Sequence, residues 1–91
     1  MEKEFYTTSD LNLAATLLEL GYDIEGIDPR DPDRVLFYFD PEKVPESKKD
    51  VVSVAAKAYW NGAIKVDPRD FMNRRKELVS RVKESQRDFR L

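Results

Sequence analysis

Residues 9–22 read Ser-Asp-Leu-Asn-Leu-Ala-Ala-Thr-Leu-Leu-Glu-Leu-Gly-Tyr. Ser9 or Asp10 offers an N-cap, the run to about Leu20 is built of good helix formers, and Gly21 stands where helices end. At 100° per residue, Leu11, Leu13, Ala14, Ala15, Leu17, Leu18 and Leu20 cover an arc of roughly 220°. Only Asn12, Thr16 and Glu19 remain for a polar side. A helix so apolar needs cover on more than one side: a sheet plus a second helix, or a partner chain.

Working outward from this helix, Glu4–Thr8 is β-branched and aromatic and reads as a first strand. Tyr22–Ile27 reads as a second strand. The run Asp28-Pro29-Arg30-Asp31-Pro32-Asp33 is a turn by its proline and aspartate content. Arg34–Asp40 contains Val35-Leu36-Phe37-Tyr38-Phe39, a third strand whose continuous apolarity predicts cover on both faces. The spacing then predicts a second helix from Pro45 or Glu46 to about Asn61. Val51, Val52, Val54, Ala55, Ala58 and Tyr59 form its buried face, and Gly62 ends it. Ala63-Ile64-Lys65-Val66 reads as a short fourth strand. Asp67-Pro68 is a strong helix start, with aspartate at the cap and proline at the first helical position. The third helix runs towards Ser85 or on to Phe89.

The expected class is therefore α+β: three helices with a small antiparallel sheet of three to four strands, in the order β-α-β-β-α-(β)-α. The first six elements match the split βαβ, ferredoxin-like order; without the fourth strand the sheet has three strands. Ninety-one residues suffice for one domain, residues 1–91. With 41% hydrophobic residues and a mean hydropathy of −0.65, this is an ordinary globular composition.

Composition also excludes chemistries. The chain has no cysteine and no histidine. That removes disulfides, thiol nucleophiles, zinc thiolates, Ser-His-Asp triads and histidine metal sites together. Lack of cysteine fits a cytoplasmic protein. No apolar run approaches the roughly 20 residues of a membrane span, and Met1-Glu2-Lys3-Glu4 does not open a secretory signal. Three glycines supply no phosphate-binding loop. Asp28, Asp31 and Asp33 lack the spacing and the distal glutamate of a calcium loop, and the prolines between them fit a rigid turn better. No carboxylate pair is marked out as catalytic. The chain reads as a non-enzyme that needs no cofactor or metal.

Charge is uneven along the chain. Residues 1–50 hold six Lys/Arg and thirteen Asp/Glu, whereas residues 51–91 hold ten and five. On the third helix, Arg69, Lys76, Lys83 and Arg90 recur at intervals of seven, and Arg87 adds to them. This basic rail suits a nucleic-acid backbone. The plainer reading is a solvated face of good helix formers, with Glu77 and Glu84 near the same side. Phe71, Met72, Leu78, Val79 and Val82, continued by Phe89, form an apolar stripe that is buried in the core or against a second copy of the chain. Trp60 is either an interface anchor or a partly buried cap. The expected interface set of a homodimer is thus Trp60, Leu78, Val79 and Val82. Tyr6 and Tyr38 are candidates for stacking bases on an open sheet face, with Phe37 and Phe39 on the other side; core packing is the plainer fate of such aromatics.

Phe5-Tyr6-Thr7-Thr8-Ser9-Asp10-Leu11, Ala14-Ala15, Leu17, Gly21-Tyr22, the strand at 35–39, Tyr59-Trp60-Asn61-Gly62 and Val66-Asp67-Pro68 together resemble a small family of domains of unknown function from bacteriophages and mobile elements of Gram-positive bacteria. The resemblance spans nearly the whole chain. It implies a setting, that of small accessory proteins that bind nucleic acid or a host protein, and it carries over no activity and no binding residue.

Overall fold

The computed structural model describes residues 4–46 and 48–90, the last of these for its backbone alone. The elements are β1 (Tyr6–Thr8), α1 (Leu11–Glu19), β2 (Ile24–Asp28), β3 (Leu36–Phe39), α2 (Val52–Trp60) and α3 (Pro68–Arg90). The sheet order is β1-β3-β2, and β3 runs antiparallel to both neighbours. Strands β1 and β2 are therefore parallel, joined by α1, with β3 inserted between them. This is the split βαβ arrangement read from the element order.

Register decides which residues meet the helices. Phe39 pairs with Tyr6 and Ile24, and Phe37 pairs with Thr8 and Ile27. Ile24 and Ile27 are three residues apart and would face opposite ways on a regular strand. An irregularity between Ile24 and Gly26 turns both to the same side. The core unites Phe37 and Phe39 with Leu13, Ala14, Ala15 and Leu17 of α1, Val52, Ala55 and Ala56 of α2, and Leu78 of α3. The apolar arc of α1 thus finds its cover in the sheet and two helices.

Each end of α1 is closed by local chemistry. Asp10 accepts a hydrogen bond from Leu13 N–H at 2.8 Å. At the other end Gly21 has a φ of +103°, and Tyr22 N–H returns to the Leu17 carbonyl. Gly62, at φ +74°, closes α2 in the same way, with Ala63 N–H on the Ala58 carbonyl.

Several expectations change. The second helix begins at Val52, not at Pro45 or Glu46. The preceding stretch is charged, and its described residues from Glu46 to Asp50 are exposed, so no buried face rewards helix formation there. Val54 is exposed and Ala56 is buried in its place. Residues 63–66 form no strand. Ile64 and Val66 instead line a cleft with Tyr59, Asn12, Thr16 and Phe71, where they help cover the junction of the three helices. The sheet has three strands. The third strand is covered by the core on one face only: Leu36 and Tyr38 lie outside the core and half-buried. Phe5 meets Tyr38 edge-on, with ring centroids 6.0 Å apart. Tyr6, expected to share an open face with Tyr38, packs against the core on the opposite side.

Candidate nucleic-acid interface

Helix α3 is 23 residues long, about 35 Å at the standard rise. Asp67 fixes its start by accepting from Arg69 N–H at 2.9 Å and Asp70 N–H at 3.1 Å, with Pro68 at the first position where no donor is needed. Leu78, near the middle, is fully buried. Phe71 and Val82 pack half-buried against the core on either side of it. Met72 and Phe89, expected to continue the buried stripe, are 46% and 57% exposed. The helix touches the core from Phe71 to Val82, and its last turns extend past it.

With Leu78 pointing inward, helical geometry fixes where the other side chains point. Lys76 lies about 160° around the axis from Leu78, Lys83 about 140°, and Arg69 and Arg87 about 180°. All four are exposed. Among the described residues none of their side chains has an ion-pair or hydrogen-bond partner. The side chain of Arg90 lies outside the described residues.

Two other arginines of the central turns behave differently. Arg74 Nε reaches the Glu19 carboxylate of α1 at 3.2 Å, and its Nη1 reaches Glu77 at 3.3 Å. These carboxylates raise the pKa of the guanidinium, the Glu19 hydrogen bond most of all. Arg75 Nε donates to Asn12 of α1 at 3.0 Å. The basic residues of α3 thus form two sets, with exposed Arg81, about 60° around the axis from Leu78, in neither. Arg74 and Arg75 strap the helix to α1, while Arg69, Lys76, Lys83 and Arg87 form an unneutralised row on the far side. Glu77, read from the sequence as a neighbour that would neutralise the row, is engaged by Arg74.

The expected interface residues do not form one surface. Leu78 is wholly inside the subunit and unavailable to a partner, because the stripe it belongs to is the one α3 uses to dock. Val79 and Val82 are half-buried in the wall of a cavity. Trp60 is 62% exposed at the end of α2, edge-on to Tyr59 at 5.0 Å.

That cavity has a volume of about 400 Å³ and lies between α3, the start of α1 and the segment entering β3. Leu11, Val35, Phe37, Val79 and Val82 give it apolar walls. Ser9, Asp33, Gln86 and Lys83 supply its polar groups. Lys83 therefore belongs both to the basic row and to the cavity. Nothing in the sequence periodicity marked this cavity, since its lining comes from three separate segments.

The acidic turn before β3 is structurally occupied. Asp28 forms a two-pronged pair with Arg30, at 2.9 Å to Nε and 2.6 Å to Nη2, and accepts from Tyr38 Oη at 3.4 Å. Arg30, through its side chain and its backbone N–H, holds the Asp28 carboxyl at about 2. Asp31 Oδ1 accepts from Asp33 N–H at 3.0 Å, tightening the turn. No group of acidic side chains suited to a metal ion occurs among the described residues, and no helix there is long and apolar enough to cross a membrane. No family model, no curated protein and no solved structure matches the chain.

Proposed function

We propose that this chain is a non-enzymatic accessory protein that binds nucleic acid through the outward face of α3. One observation carries the reading: Arg69, Lys76, Lys83 and Arg87 stand exposed and unpaired in a row, on a helix whose Arg74 and Arg75 are tied to α1. Unpaired aligned cations release condensed counterions on meeting a phosphate backbone, whereas neutralised ones do not. The negative charge of residues 1–50 keeps the net charge at −2, which limits binding to this one face. The lack of histidine and cysteine supports a binding role over catalysis, and the resemblance to small phage and mobile-element domains fits an accessory part.

Fluorescence anisotropy of labelled DNA and RNA tests it. Four phosphate contacts predict an affinity that falls roughly a hundredfold between about 50 and 200 mM salt. Absence of binding at the lower salt sinks the reading.

A homodimer is the second reading, favoured by the exposure of Trp60. It predicts a dimer by light scattering that Trp60→Ala dissociates. A monomer at all concentrations removes it.

A further inference from the structure

The cavity beside Lys83 combines three features. Its walls are apolar, formed by Leu11, Val35, Phe37, Val79 and Val82. Its polar groups include an acceptor-only carboxylate, Asp33, and groups that both donate and accept, Ser9 and Gln86. Its cation, Lys83, has no partner among the described residues and stands in line with Lys76 and Arg69. At about 400 Å³ it falls at the small end of ligand clefts, roughly 300–1,000 Å³. A nucleotide has the complementary parts: a flat ring, a hydrogen-bonding edge and a phosphate. An alkyl carboxylate fits less well, because it leaves Asp33, Ser9 and Gln86 without a hydrogen-bonding partner.

We propose that this cavity is a subsite for one unstacked base of a single-stranded nucleic acid, with the adjoining phosphate on Lys83. The inference rests on the reading of α3 as a phosphate-tracking face and narrows it to single strands, because a base inside a duplex cannot leave its stack without a cost. Asp33, which accepts and does not donate, selects bases that present an exocyclic amino group, cytosine among them.

Anisotropy with labelled dC12, dT12 and a mixed-sequence 12-base-pair duplex, at one salt concentration, tests this. The expected order is dC12 about tenfold tighter than dT12 and duplex, the scale of one well-placed base. Asp33→Ala removes the acceptor, abolishes the difference between dC12 and dT12, and leaves duplex binding no weaker. Val79→Trp, which fills the cavity, also abolishes that difference; its thermal unfolding is checked alongside, and Asp33→Ala stands alone if the tryptophan does not fold. Equal affinity for all three oligonucleotides, or a dC12 preference untouched by Asp33→Ala, overturns the subsite while leaving the α3 reading intact. If no oligonucleotide binds, the α3 reading falls, and titration with cytidine monophosphate, read on the methyl resonances of Val79 and Val82, decides the cavity alone. Shifts that saturate and vanish in Asp33→Ala uphold the subsite, and no shifts overturn it.

Discussion

Helices α1 and α3 are the two extremes of this molecule. In α1, nine residues contribute five fully buried ones, Leu13 through Leu17. In α3, Leu78 is the single fully buried residue among those described in 23. The first helix is wrapped by the core and the third is not: α3 meets the core along one stripe from Phe71 to Val82, and its opposite side faces solvent with free cations. The unpaired basic row runs along the side of α3 turned away from the core, including at the packed turns, where Lys76 and Lys83 flank Leu78 and Val82.

The comparison breaks most readily at the core. Leu17→Ala, in a fully buried site on α1, is expected to lower stability by about 2–5 kcal/mol, measured by urea unfolding. Leu78→Ala falls in the same range. Were it to cost no more than an exposed substitution, α3 would not be docked as described. Next is the cap of α1. Gly21→Ala places a Cβ at positive φ and 3.2 Å from Pro45 Cβ, so it costs more than about 1–2 kcal/mol. Gly62→Ala, with nothing within 4 Å of its new Cβ, costs about that backbone penalty alone. Equal losses at the two sites would contradict the packing of Pro45 on the end of α1.

A smaller effect tests the link from α1 to α2. Tyr22 Oη donates to the Asp50 carbonyl at 2.7 Å, just before α2 begins. Tyr22→Phe costs about 1 kcal/mol. Burial, and secondarily the Asp50 charge, raise the Tyr22 pKa above 10.0. A raised folded pKa means that the contribution is complete below pH 10 and is lost as pH rises through the folded value. Stability therefore falls above about pH 10, with burial of Tyr6 and Tyr59 adding in the same sense, and Tyr22→Phe reduces the slope. Asp28 acts with the opposite sign: its depressed pKa contributes above the ordinary carboxylate range, and that contribution is lost as pH falls from about 4 towards 2. Smallest on stability are the charges of α3. Arg74→Ala removes the tie to Glu19 and costs at most about 1 kcal/mol, since the pair is partly exposed. Lys76→Ala and Lys83→Ala stay within about 0.5 kcal/mol.

Much of the fold was legible because its signals are local. The arc of α1, the two glycine stops and Asp67-Pro68 each act within one turn of chain, and the structure carries them all. The misreadings arise where distant segments decide. Residues 63–66 have strand-like composition, but Ile64 and Val66 are drawn to the junction beside Tyr59 and Phe71. The early start of α2 rested on Pro45, a sound local signal without a buried face behind it. The candidate site was half legible. Heptad spacing finds Arg69, Lys76 and Lys83 on one side, yet spacing alone does not reveal that Arg74 and Glu77 neutralise each other and leave that row free. Periodicity also put Leu78 on the right stripe without saying whether the stripe faces the core or a partner.

The most direct test of the account is the slope of log Kd against log salt for nucleic-acid binding, in the natural chain and in Lys76→Ala and Lys83→Ala, with thermal unfolding measured on the same samples. The account predicts that each variant keeps the natural unfolding temperature, binds more weakly and loses about one unit of slope. Unchanged slopes in both variants would show that the exposed row of α3 does not meet phosphate, and would contradict the account.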